Sequence, residues 1–377
     1  MAVPEGGKCI TRMNSQIESS DEIPDIDGDQ APRFTKALIG HQSACQTMLQ
    51  ACQGARFPHA WLLSGPKGVG KASFTYLLAR SLMAAKRPQD MGEFWQAQDS
   101  ADGHLVETDA HPDMFVLKRR YNEKTDKFYA DIPADDVREL KKSFSLSAAR
   151  SGWRIAIVDS IDEMNKFGVN GLLKLLEEPP EKCLFFIICH NPGRLLDTIK
   201  SRCRSLTFNA LTTDELTRLI TGHAASIDPN EAAAAAYLAA GSAGRALNLV
   251  EHGGMELYRD LIDVLVGLPN PDIERLHALA SRFGARAAPE SFDVFCYLFS
   301  NWLYRLIHGR ATGSYPQPVF EGEADLIDRI GPQMALEPAT RLWEKVNQDA
   351  RQTGALNLDK KQAVLDWIDA LSELTYI

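Results

Sequence analysis

The sequence predicts an α/β P-loop domain built on a parallel sheet, followed by a C-terminal half made only of helices. Three observations carry this. Between residues 36 and 208, short apolar runs alternate with helix-period segments, the pattern of strands and crossover helices in a doubly wound sheet. A glycine-rich loop, Gly65-Pro66-Lys67-Gly68-Val69-Gly70-Lys71, lies between the first of those strands and a helix. After Leu211 the strand signals stop, while amphipathic helical patterns continue.

Residues 1–33 are expected to be a disordered tail, because 15–30 are acidic and polar. The tail has no basic segment followed by an apolar one, so no secretory signal is expected. A helix is expected over His41 to Cys52 and a strand over Trp61 to Ser64. Lys71 to Ala85 has helical periodicity, with Phe74, Leu77, Leu78 and Leu82 on one face. Residues 86–112 are polar and expected to be irregular. Met114 to Lys118 reads as a strand, Arg119 to Lys127 as a turn or hairpin, and Ile132 to Ser145 as a helix on Val137, Leu140 and Phe144. Ile155 to Val158, Leu184 to Cys189 and Ser205 to Phe208 read as strands covered on both faces. Between the first two, a helix over Val169 to Glu178 stops at Pro179-Pro180.

Beyond residue 208 the reading is helical. Thr212/Thr213-Asp214-Glu215 starts a helix with capping and acidic residues. Asn230 to Ala240 and Gly241 to Leu249 follow, then Ser291 to His308, Pro338 to Thr353 and Asp359 to Leu374, with a Pro/Gly loop near 311–322. The predicted domains are 34–208 (α/β), 209–268 (small, helical) and 269–377 (larger, helical).

Composition narrows the function classes. No apolar run approaches the ~20 residues of a membrane span, so a cytoplasmic protein is expected. Seven cysteines, at 9, 45, 52, 183, 189, 203 and 296, form no Cys-x-x-Cys pair, so neither a disulfide framework nor zinc is expected. A net charge of −9 argues against binding nucleic acid by bulk charge. A local basic stretch, Lys118, Arg119, Arg120, Lys124 and Lys127, interleaves with Tyr121, Phe128 and Tyr129; it suits a solvated hairpin or contact with phosphates and bases.

The loop fits G-x-x-x-x-G-K, in which glycines turn backbone N–H groups toward phosphate and the helix N-terminus adds its dipole. Lys71 would meet the β- and γ-phosphates. A structural glycine-rich turn before a helix would leave the same local pattern. Ala72 stands where a Ser or Thr hydroxyl normally ligates Mg²⁺. Ser73 is about 100° further round the helix and is poorly placed to replace it. Ile155 to Asp159 has the form of a Walker-B strand, or of a buried strand capped by an Asp. Asp159 would hold Mg²⁺ through water, but Ser160 follows where hydrolysing relatives place a Glu. ATP binding without efficient hydrolysis is the expectation.

The segments Asp159-Ser160-Ile161-Asp162-Glu163-Met164-Asn165 and Gly171-Leu172-Leu173-Lys174-Leu175-Leu176-Glu177-Glu178-Pro179-Pro180 resemble bacterial clamp-loader subunits. These are AAA+ relatives that load the sliding clamp of the replicative DNA polymerase. Cys189-His190-Asn191-Pro192 and Ser201-Arg202-Cys203 resemble that family's sensor 1 and SRC motifs. Leu38-Ile39-Gly40-His41, His111-Pro112-Asp113 and Gly241-Ser242-Ala243-Gly244-Arg245 extend the likeness to residues 36–260. The resemblance implies an AAA+ domain, a helical lid and a helical collar. It implies that Gly65 to Lys71, Ala72, Asp159 and Asn191 border nucleotide, and that Arg202 is an arginine finger for a neighbour's site. The sensor 2 arginine of active relatives would fall at Gly244, one place before Arg245.

Implied partners are gamma/tau and delta subunits in a hetero-pentamer, the sliding clamp, and primer-template DNA through the assembly. With Ala72 and Ser160 in place, the expected member is a scaffold within the DNA polymerase III holoenzyme. An ATP-hydrolysing gamma/tau-like motor is the alternative, and a small-molecule P-loop kinase leaves Ser201-Arg202-Cys203 unexplained.

Overall fold

The computed structural model describes residues 31–54, 56–85, 88–91, 100–122, 127–129, 131–146, 148–150, 152–284, 288–356 and 359–375. The expected N-terminal tail thus lies outside the described residues, save 31–33.

Seven strands are described: β1 (Ala60–Ser64), β2 (Met114–Lys118), β3 (Tyr121–Asn122), β4 (Lys127–Phe128), β5 (Arg154–Asp159), β6 (Cys183–Cys189) and β7 (Arg204–Thr207). Five form one parallel sheet in the order β2-β5-β6-β1-β7, while β3 and β4 make the antiparallel hairpin expected after β2. Helices α1 (Gln42–Gln53), α2 (Lys71–Ala85), α3 (Ala101–Glu107), α4 (Ala134–Ser145), α5 (Lys166–Glu177) and α6 (Asp197–Lys200) complete the α/β region.

The strands' apolarity follows from cover on both faces. Trp61, Leu63, Ile155, Ile157, Phe186 and Ile188 pack with Phe74, Leu78 and Leu82 of α2. The alternate residues Leu62, Ala156, Val158, Phe185 and Ile187 pack with Val137 and Leu140 of α4 and Leu172 and Leu176 of α5. Two expectations need correction. β7 is an edge strand with only Leu206 buried, so it is not covered on both faces. Residues 86–112 are not uniformly irregular: α3 forms where the Ser100 hydroxyl accepts the Gly103 N–H, an N-cap whose signal is diluted by the polar residues around it.

After β7, α7 (Thr213–His223) opens with a capping box. Glu215 N–H donates to Thr212 Oγ1 at 3.2 Å, and Thr212 N–H donates to Glu215 Oε2 at 2.9 Å. Next come α8 (Pro229–Leu238), α9 (Ala243–Glu251), α10 (Gly254–Leu265), α11 (Ile273–Ser281), α12 (Pro289–Thr312), α13 (Glu323–Ile330), α14 (Leu336–Leu356) and α15 (Lys360–Thr375). Contacts divide the described chain into an α/β unit reaching Glu215 and including Ser242–Gly244, and a helical unit of the remainder.

In the helical unit, Phe292, Phe299 and Trp367 stack with ring centroids 6.1–6.2 Å apart and form an aromatic core. The same unit holds a buried polar cluster. Glu323 is fully buried, accepts Tyr258 Oη–H at 2.7 Å and Val319 N–H at 2.6 Å, and pairs with Arg305 at 3.2 Å. Arg305 also donates to Gln317 O at 2.6 Å, so the cluster fastens the 313–322 loop to α10 and α12. Among the described residues, no helix is long and apolar enough to cross a membrane.

Candidate functional site

The phosphate-type loop follows β1, which lies between β6 and the edge strand β7. Register pairs Ser64 with Cys189 on one side and with Thr207 on the other. Gly65 N–H donates to Cys189 O at 3.3 Å, and Phe208 N–H donates to Ser64 O at 2.8 Å. Gly65 has φ 150°, and a Cβ there would stand 2.1 Å from Phe208 O, so this position excludes any side chain. Gly65→Ala is therefore expected to displace the loop at a cost of about 1–3 kcal/mol. A lowered Tm that ATP no longer raises, read in paired thermal melts, is the expected result.

Lys71 is buried, and its ammonium donates to Gly65 O and Pro66 O, each at 2.6 Å. Burial lowers its pKa to about 8, against the opposing pull of Asp159 and Asp162. The charge of Asp159, at the end of β5, thus acts on the loop lysine.

Asp162 is committed elsewhere. Its carboxylate accepts His190 N–H at 2.6 Å and Asn191 N–H at 3.0 Å, which ties the turn after β5 to the end of β6. Asn191 is thereby fixed through its backbone just beyond β6. Its neighbour His190, which sequence reasoning passed over, carries the stronger link to the loop lysines. Burial, then Lys71 and Lys67, press its pKa down to about 2, so the ring is neutral. Among the described residues nothing hydrogen-bonds its buried Nδ1. No sequence spacing signals this, because the strand pairing alone sets β6 beside β1.

Two further groups brace the loop. His41, in the left-handed region at φ 58°, places Nε2 2.8 Å from Val69 O and its ring against Phe208 at 4.9 Å. Burial lowers its pKa, which favours a neutral ring donating Nε2–H to the carbonyl. Gly244, at the start of α9, donates its N–H to Gly68 O at 2.9 Å. A backbone group thus meets the loop where active relatives are expected to offer an arginine. Arg245 packs within the helical unit, donating to Ala239 O at 2.8 Å and lying 4.5 Å from the Tyr297 ring centroid.

Arg202 is not part of this cluster. It precedes β7, where Arg204 pairs with Trp61, whereas the loop begins after Ser64, which pairs with Thr207. The strand length between them is about 10 Å at ~3.3 Å per residue. Arg202 is therefore at the opposite end of the sheet from its own Lys71. Its guanidinium pairs with Glu177 at 2.7 Å and donates to Thr198 O at 2.8 Å.

The basic stretch is largely internally balanced. Arg119 pairs with Glu163 at 3.0 Å, and Arg120 with Asp136 at 2.6 Å and Glu139 at 3.5 Å. Tyr121 and Tyr129 are exposed. Lys124 lies outside the described residues.

A family model described as DNA polymerase III, delta subunit, matches residues 40–212, the span from the segment before the loop to the end of the sheet. Over that span the chain is similar to DNA polymerase III clamp-loader subunits. The matched span is the α/β unit with its five-stranded parallel sheet, and a helical part follows it. The chain is 36% identical over 149 residues to DNA polymerase III subunit delta' of Pseudomonas aeruginosa, covering 40% of this chain and 42% of that protein. It is 31% identical over 156 residues to subunit delta' of Bacillus subtilis, covering 41% and 44%. Subunit gamma/tau of Mycobacterium tuberculosis matches at 30% over 187 residues, covering 48% and 29%. The chain spans less than half the length of each of these three relatives.

Proposed function

We propose that this chain is a delta-prime-like subunit of a DNA polymerase III clamp loader, a scaffold that supplies Arg202 to a neighbouring gamma/tau ATPase during sliding-clamp loading. The observation that carries the reading is the placement of Arg202. It sits at the end of the sheet remote from its own loop, so the phosphate it would meet belongs to another subunit. Ala72 and Ser160 add to this, since Ala72 lacks the hydroxyl that would ligate Mg²⁺ and Ser160 lacks the carboxylate that would polarise the attacking water.

On this reading Gly65 to Lys71 and Ala72 cradle the phosphates of a bound ATP, bordered by Asp159, His190 and Asn191. Bound Mg²⁺ would supply charge neutralisation, and Asp159 would hold it through water. The helical unit from about residue 269 would serve as the collar joining gamma/tau and delta in a hetero-pentamer, with clamp and primer-template DNA engaged by the assembly. Mixing the chain with gamma/tau and delta subunits and measuring complex mass tests the placement. A discrete hetero-oligomer is expected, and a chain that stays alone overturns it.

Nucleotide affinity should depend on pH with a definite sign. The folded-state pKa of Lys71 lies below its ordinary value of 10.5, near 8. The buried ammonium therefore weighs against folding below about pH 8, and stability recovers as pH rises from there toward 10.5. Phosphate attraction runs the other way, since it needs the charged amine. Affinity for an ATP analogue is expected to fall as pH rises from 7 to 9, and Lys71→Met to remove that trend, read by fluorescence anisotropy.

The matches to gamma/tau proteins keep one second reading in view, an ATP-hydrolysing motor. It requires turnover by the chain's own site.

A further inference from the structure

Helix α5 ends in Glu177-Glu178, just before Pro179-Pro180. Two carboxylates at a helix C-terminus oppose the negative end of the backbone dipole, and a local rule broken in this way points to a use. Arg202 answers the charge. Its Nη2 lies 2.7 Å from Glu177 Oε1, while Nη1 donates to Thr198 O at 2.8 Å and to Ser201 Oγ at 3.3 Å. The side chain nevertheless stays 33% exposed. A guanidinium is a planar fork of five N–H donors. Three acceptors engage it here, so the fork is fixed in direction while donors remain for an incoming anion.

We propose that Glu177 is a positioning residue for Arg202, holding the guanidinium in the orientation in which a neighbouring subunit's phosphate can take it. The inference rests on the trans role of Arg202 given above. Glu177 is carried by an ordered helix and Thr198 by α6, so both anchors are rigid relative to the sheet. An unanchored arginine would sample several rotamers, and only a fraction would meet the phosphate productively. The pair is half-exposed and contributes little to fold stability, so its removal should leave the subunit folded.

The test is a double-mutant cycle in the complex reconstituted with gamma/tau and delta subunits, reading kcat, KM and complex mass. Glu177→Gln is expected to lower kcat about tenfold with KM and mass unchanged, Glu177→Asp to restore part of the loss, and Glu177→Gln to add nothing once Arg202→Ala is present. If Arg202→Ala lowers kcat but Glu177→Gln leaves it at the wild-type value, the positioning role is overturned and the trans role stands. A loss from Glu177→Gln that persists in the Arg202→Ala background also overturns it, since Glu177 then acts by another route. If Arg202→Ala itself leaves kcat unchanged, the trans role fails, and the positioning role with it.

Discussion

Replacing Arg202 with alanine in the assembled complex is expected to slow turnover at the neighbouring subunit's site by about 10³–10⁵-fold, the usual worth of an arginine finger. That loss corresponds to roughly 4–7 kcal/mol of transition-state stabilisation. Arg202 is held at the surface by Glu177 and Thr198 O, at the far end of the sheet from its own Lys71. On the proposed reading, a guanidinium in that place serves no phosphate at its own loop and would meet one that approaches from another subunit. Complex mass should not change, because the side chain buries little surface. Single-turnover measurement on the reconstituted complex reads the effect directly, and a rate within twofold of wild type would contradict the assignment.

The second large effect is on stability. Glu323→Ala removes the only carboxylate among the described residues that pairs with Arg305, leaving a largely buried cation beside Tyr258 and Tyr237. Breaking one partner of a buried ion pair costs about 3–5 kcal/mol. The same change frees the Val319 N–H, so the 313–322 loop loses one of its anchors as well. A fall in Tm on the order of 10 °C is expected for a unit of this size, with weakened assembly if that unit forms the collar. Tyr258→Phe removes two hydrogen bonds, the one given to Glu323 and the one accepted from Arg305, and keeps the charge pair, so it should cost only about 2 kcal/mol. Equal effects from the two variants in thermal denaturation would show that the charge pair is not what holds the loop.

The α/β unit was legible because its signals are local and strong. Five apolar runs and Lys71 to Ala85 announce themselves by composition and period, and the sheet places them as read. Legibility failed where pairing or context decides. The polarity of residues 86–112 hid α3, which rests on the single cap Ser100. β7 reads as apolar in sequence, yet it lies at an edge because nothing pairs beyond it, and only Leu206 is covered.

At the candidate site, the loop, Asp159 and Asn191 are expectations from motifs, while the groups that brace the loop carry no such signal. His41 reaches Val69 O across 28 positions, and Gly244 reaches Gly68 O from the start of a later helix. His190 is hidden by its neighbour Asn191, which fits the family pattern; its tie to Lys71 exists only because β6 lies beside β1. The Glu177–Arg202 pair joins two motifs that sequence reading treats separately.

The central claim is that this chain lends an arginine and does not hydrolyse ATP itself. The most direct measurement is steady-state ATP turnover by the purified full chain with Mg²⁺, beside its Lys71→Ala variant. The account predicts no turnover above background in either. Turnover in the wild-type chain that disappears in Lys71→Ala would contradict it and make the chain a motor.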